Sequence, residues 1–198
     1  MTMTKSKCVI APGNYCEYPE ESLWYPSVAE KLREATKEGQ PVFSKVILQQ
    51  FPDWTVGKES EWIPFLEKEL EIGENDIIIG HRLLIRYITS TGAIAAMRYA
   101  ETHKVKGIVL ASGYHTDLGV PSEIEAEYFS RPWNFQAIRD NCTFILQYAS
   151  PDDHLVPIAE QRFVAQQLQS EYYELPDLGH FVENEEFDEL VEELLKKL

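Results

Sequence analysis

The sequence predicts an α/β fold: a three-layer sandwich with a mostly parallel central sheet of about six strands and helices on both faces. Three observations carry this expectation. Short β-prone apolar runs alternate with longer amphipathic stretches through the whole chain. The composition, 44% hydrophobic and 26% charged with 10 Gly and 11 Pro, is that of an ordinary globular protein. Finally, no repeat, low-complexity tract or linker divides the 198 residues, so a single domain over 1–198 is expected.

The elements follow in order. Residues 8–11 read as the first strand, 22–36 as an amphipathic helix, 42–48 as the second strand and 59–70 as a helix. The isoleucines at 77–79 form a strand, 92–103 a helix and 108–111 another strand. Residues 117–141 break the alternation with Pro121, Arg131-Pro132-Trp133 and several aromatics. That predicts an excursion over the C-terminal ends of the strands, where loops shape pockets. Strands over 144–148 and 172–175 flank a helix over 157–169. The last helix, 185–197, sets Phe187, Leu190, Val191, Leu194 and Leu195 on one side at helical spacing.

A formal net charge of −15 argues against nucleic acid or an anionic membrane as partner, because phosphates reward Lys and Arg. Much of the acid lies near the C-terminus, from Glu183 to Glu193, and reads as the solvated face of a helix. The polar start, Met1-Thr2-Met3-Thr4-Lys5-Ser6-Lys7, runs straight into a strand, which predicts a cytoplasmic or also nuclear location. Cys8, Cys16 and Cys142 are odd in number and lack ligand spacing, as expected of reduced thiols. His115, Asp117, Asp152 and His154 show no metal spacing either, so neither metal nor cofactor is expected.

Chemistry concentrates after the late strands. Asp153 opens Asp153-His154-Leu155-Val156-Pro157, and His180 stands in Leu178-Gly179-His180-Phe181, both at strand ends where open α/β sheets bind ligands. A carboxylate can fix an imidazole's tautomer while the imidazole takes a nucleophile's proton. Taken alone, Asp153 reads equally as a helix N-cap, and Asp152 could serve either role. The chain order Ser, Asp, His is what makes the pair specific. Gly80-His81 begins a G-x-S-x-G elbow, but position 82 is Arg, and the second half, Ser90-Thr91-Gly92-Ala93, comes later and leads into a helix.

Across nearly its whole length the chain resembles the retinoblastoma-binding protein 9 family of small serine hydrolases, within the α/β-hydrolase superfamily. The likeness is most specific in Ile77-Ile78-Ile79-Gly80-His81, from Ser90 through His103, in Arg131-Pro132-Trp133 and around His180. The family reads Gly-His-Ser-Ser-Gly-Ala where this chain has residues 82–89 inserted after His81. On that alignment the resemblance implies Ser90 as nucleophile, Asp153 as acid and His180 as base. It implies an oxyanion hole from the backbone of Thr91 and of Asn14 or Tyr15, although the family is glycine-rich where this chain has Tyr15-Cys16-Glu17-Tyr18.

The insertion leaves two arrangements open. Either 77–79 keeps the central strand and 82–89 forms an extra loop, or 83–88 replaces that strand. The first is expected, since Arg82 and Arg86 fit poorly in a central strand. In both, a displaced nucleophile reduces activity, and Leu83-Leu84-Ile85 would present an apolar patch if exposed. Two functions follow: a serine hydrolase acting on a small ester, amide or peptide bond, or an impaired relative serving as a protein-binding scaffold. Trp24 and Trp133, with Tyr25 and Phe129, are candidates to line an acyl pocket. The family name suggests the retinoblastoma protein as partner, but the place resembling its L-x-C-x-E ligand motif, Leu70-Glu71-Ile72-Gly73-Glu74, has Ile for Cys.

Overall fold

The computed structural model describes residues 6–81 and 91–198. In chain order the elements are β1 (Ser6–Ala11), α1 (Tyr25–Glu34), a hairpin of β2 (Thr36–Lys37) and β3 (Gln40–Pro41), β4 (Phe43–Leu48) and α2 (Glu59–Pro64). There follow β5 (Ile77–His81), α3 (Gly92–Thr102), β6 (Val105–Ala111), α4 (Pro121–Glu125), α5 (Phe135–Asn141) and β7 (Cys142–Ala149). The chain ends with α6 (Ile158–Leu168), β8 (Glu171–Glu174) and α7 (Asp188–Lys196). Among the described residues no helix is long and apolar enough to cross a membrane.

Six strands form one parallel sheet in the order β4-β1-β5-β6-β7-β8. Side chains on successive strand residues point to opposite faces, so each strand feeds two cores. Val9, Ile78, Ile108 and Leu110 pack with Trp62 of α2, Leu66 just after it, Ala93, Met97 and Ala100 of α3, Ile138 of α5 and Val164 of α6. Cys8, Ile10, Ile77, Ile79 and Val109 face the other way, against Val28 and Leu32 of α1 and Leu190 and Leu194 of α7. This is the expected three-layer arrangement.

Of the two arrangements left open by the insertion, Ile77–His81 holds the central place, bonded to β1 on one side and β6 on the other. Two glycines make that placement possible. A Cβ on Gly80 would meet the Gly92 carbonyl and lie 2.7 Å from the Ala93 Cα. One on Gly92 would run into the Ala11 carbonyl and stand 2.6 Å from the Pro12 oxygen and 2.7 Å from the His81 oxygen. Strand and helix backbones are therefore in direct contact, and the point where β5 ends is adjacent to the point where α3 begins.

Three element readings change. The 117–141 excursion contains α4 and also α5, the crossover helix between β6 and β7. At seven residues with only Ile138 fully buried, α5 is too short and too polar to announce itself, and the Asn134 side chain caps it by accepting the Ala137 N–H at 3.1 Å. The helix expected over 59–70 ends at Pro64 and continues as a π-helical turn, Phe65–Glu69, because proline has no N–H for the α-helical ladder. The first helix starts at Tyr25, with a proline in its first turn, after a 3-10 turn over Pro19–Glu21. Leu70 and Ile72 are both buried in the core, so 70–74 is no exposed linear motif.

Substituting Gly80 or Gly92 with Ala forces the two backbones apart and is expected to lower the unfolding free energy by about 1–3 kcal/mol. Gly73→Ala, where an added Cβ has nothing within 4 Å, should stay near neutral. Urea midpoints compare the three, and equal shifts would contradict the backbone contact.

Candidate active site

β4 and β5 lie on opposite sides of β1, so the connections leaving the C-terminal ends of β1 and β5 diverge and open a crevice between them. The Gly13 to Tyr15 turn lines one side of this crevice. On the other side the described chain stops at His81 and resumes at Thr91, the N-cap of α3. Ser90, like the insertion 82–89 with Leu83-Leu84-Ile85, lies outside the described residues.

Asp153 and His180 meet at the same edge of the sheet. The His180 Nδ1 stands 3.0 Å from Asp153 Oδ1 and 2.9 Å from Oδ2, with both side chains enclosed by protein. A carboxylate only accepts, so Nδ1 carries the proton and Nε2 is the basic nitrogen. Burial pushes the Asp153 carboxyl up. The hydrogen bond and charge of His180 and the Val156 and Leu155 N–H groups outweigh it and hold the acid below its ordinary range.

The carboxylate is further fixed by groups invisible to the sequence reading. Ser112 Oγ donates to Asp153 Oδ2 at 2.9 Å and Gln161 Nε2 at 3.1 Å, while the N–H groups of Leu155 and Val156 each reach Oδ1 at 2.9 Å. Ser112 does so from a left-handed backbone, φ 56°, at the end of β6, which a non-glycine residue adopts only when its surroundings demand it. The neighbouring acid takes the other task. Asp152 Oδ1 accepts from Asp177 N–H at 3.0 Å and its Oδ2 from Gly179 N–H at 3.1 Å, so it holds the backbone of the histidine loop. The choice between 152 and 153 was open on chemistry alone; the direction of each side chain assigns ring and backbone to different acids.

The oxyanion candidates separate. The Tyr15 N–H donates to the Trp54 carbonyl at 2.5 Å, which engages that N–H and removes Tyr15 from the set. Asn14 is buried, anchored by its Nδ2 on the Val56 carbonyl at 2.8 Å, and no backbone carbonyl among the described residues takes its N–H. Thr91 is buried at the N-terminus of α3, and its carbonyl accepts from Ala95 N–H at 2.7 Å.

The two pocket candidates differ in exposure, Trp24 being buried and Trp133 half-buried. Trp24 is fully buried, packed on Tyr25, His81 and Phe187, because its indole fills the core behind the end of β5. Trp133 lies flat on the Arg98 guanidinium, 3.6 Å from ring centroid to carbon, and its Nε1 donates to the His115 carbonyl at 2.8 Å. Arg98 also donates to the Tyr128 and Arg131 carbonyls and to Glu101, which fastens the excursion over 117–141 to α3. Phe129 packs edge-on against Trp133, and Tyr25 belongs to the core.

Comparison with known proteins agrees with this architecture. The family model described as serine hydrolase matches residues 39–197. The chain is 42% identical over 186 residues to the serine hydrolase RBBP9 of Rattus norvegicus, covering 94% of this chain and 92% of that one. Among solved structures it is similar to the ydeN gene product of B. subtilis, with TM-score 0.78, 22% identity and 98% of both chains covered. It is also similar to Est1E from Butyrivibrio proteoclasticus, with TM-score 0.65, 12% identity and coverage of 97% and 88%.

The depressed acidity of Asp153 sets a pH dependence of folding. Its folded value lies below its ordinary 3.8, so its contribution to stability is complete above that value and is lost as the pH falls through the folded one. Asp153→Asn is expected to flatten the decline of unfolding free energy below about pH 4 relative to the parent. Parallel acid limbs in urea titrations would show that Asp153 carries no such linkage.

Proposed function

The chain belongs to the serine hydrolase family, and we propose that it cleaves a small ester, amide or peptide bond through an acyl-enzyme on Ser90, with His180 as general base and Asp153 as its orienting acid. The buried Asp153–His180 pair, beside the crevice between β1 and β5, is the observation that carries this reading. Its support for Ser90 is indirect. The strand before it and the helix after it end within a few ångströms of each other, as the 2.7 Å from a Gly92 Cβ to the His81 oxygen requires. His81, in turn, is bonded to the His180 carbonyl.

In this mechanism Ser90 Oγ attacks the substrate carbonyl carbon as its proton passes to His180 Nε2, while Nδ1–H remains on Asp153. The oxyanion is met by the N–H groups of Thr91 and Asn14, the former at the positive end of α3. Collapse breaks the bond to the leaving amine or alcohol, which departs with the proton from Nε2. Water then gives a proton to Nε2 and attacks the acyl carbon, and Ser90 leaves with that proton. Substrates are small molecules or short peptides that the crevice between β1 and β5 admits.

A fluorophosphonate probe is expected to label Ser90 in the folded chain and to fail on Ser90→Ala and His180→Ala. Absence of label on the folded parent refutes the hydrolase and favours the protein-binding scaffold. Asp153→Asn, which leaves the imidazole in the wrong tautomer, is expected to cut kcat by about 10⁴. Because the ends flanking 82–90 are adjacent, deleting residues 82–89 joins His81 to Ser90 in one contiguous elbow. That variant is expected to fold and to raise kcat/KM by about a hundredfold, the scale of a nucleophile displaced by roughly 1 Å. A folded deletion variant no faster than the parent would show that the insertion does not limit turnover.

A further inference from the structure

His81 ends β5 as the last described residue before position 82, and its imidazole makes two contacts that the mechanism above does not use. Its Nε2 lies 3.2 Å from the backbone oxygen of His180, and its Nδ1 lies 2.7 Å from the Tyr25 hydroxyl. The Tyr25 oxygen in turn accepts the Gly13 N–H at 3.4 Å. Tyr25, His81 and His180 are all at least 99% buried, and Trp24 and Phe181 pack against the His81 ring. Burial of this chain of bonds strengthens each of them.

For a neutral imidazole the directions of the bonds follow. A carbonyl only accepts, so His81 Nε2 carries the proton; Nδ1 then offers a lone pair, and the Tyr25 hydroxyl must donate to it. Burial holds the Tyr25 phenol well above its ordinary range, which keeps it a donor. The result is one ordered sequence: Gly13 N–H to Tyr25 oxygen, Tyr25 hydroxyl to His81 Nδ1, His81 Nε2–H to His180 oxygen. It runs from the turn after β1, through the strand end before Ser90, to the loop of the base.

We propose that His81, locked in its Nε2–H tautomer by Tyr25, is a positioning residue that sets where the His180 backbone sits relative to the end of β5. The proposal rests on the reading of His180 as the base. Asp153 orients the imidazole through Nδ1 but does not locate its Cα. The loop needs such an anchor, because Gly179 and Phe181 on either side of His180 are both left-handed, with φ of 51° and 57°. The His81 imidazole, at the end of the strand that leads towards Ser90, supplies one by its bond to the His180 carbonyl.

Conservative variants separate positioning from packing. The His81→Gln amide can still reach the Nε2 position and donate to His180, whereas His81→Asn is too short and keeps only the Tyr25 contact. Tyr25→Phe keeps the ring and removes the tautomer lock. With p-nitrophenyl acetate, His81→Asn is expected to lose about a hundredfold in kcat with KM within about twofold, as for a reacting group moved by roughly 1 Å. His81→Gln should recover most of that, and Tyr25→Phe should fall between. Equal losses in the Asn and Gln variants overturn the proposal. A second readout does not depend on turnover: nitrogen-15 and proton NMR of the imidazoles in the full chain. The parent should show His81 protonated at Nε2 only, and the His180 Nδ1–H resonance should move or broaden in His81→Asn and return in His81→Gln. A parent His81 protonated at Nδ1, or a His180 signal indifferent to the Asn variant, refutes the tie. Turnover that survives His180→Ala would instead refute His180 as the base and leave the NMR test standing.

Discussion

Gly80 of β5 and Gly92 of α3 lie backbone against backbone, and the crevice side of the candidate site takes its position from that contact. With no Cβ on either side, the helix can start beside the strand it follows and under the carbonyls of Ala11 and Pro12 that end β1. Three things are thereby brought together: the turn after β1, the end of β5 and the positive end of a helix. The ends that flank residues 82–90 are therefore adjacent, His81 closing the strand and Thr91 opening the helix beside it.

The second constraint is electrostatic. Asp153 and His180 are both buried, where an unpaired charge is costly and a paired one is strong. The carboxylate accepts from Ser112, Gln161, Leu155 and Val156 as well as from His180, so it is satisfied from every side. That network spans β6, the loop after β7, α6 and the loop after β8, and it gives separate elements a shared reason to hold their places. The strain accepted at Ser112, in a left-handed backbone, is offset by the bonds that its side chain then makes.

Much of the architecture was legible because its signal is local. The strands at 8–11, 42–48 and 77–79 are β-prone runs whose type does not depend on context, and the helix over 92–103 follows from Ala-rich periodicity ending at His103. Asp153 and His180 were readable from position at strand ends. The surroundings of the other candidates have tertiary causes. Trp24 and Trp133 are large aromatics near the crevice in sequence, yet one fills the core behind β5 and the other caps a buried guanidinium. The Tyr15 N–H is engaged by the Trp54 carbonyl, a partner 39 positions away in the chain.

By itself the sequence determined the layer order, the alternation of strand and helix, and the identity of an acid and a histidine one βα unit apart, because periodicity and turn chemistry are short-range. Only the tertiary structure decided that Asp153, and not Asp152, faces the imidazole, that β5 keeps the centre of the sheet despite the insertion, and that His81 reaches the His180 backbone. Those outcomes depend on which way side chains point once distant segments pack. Hydrogen bonds of about 3 Å are set by that packing and leave no trace in residue spacing.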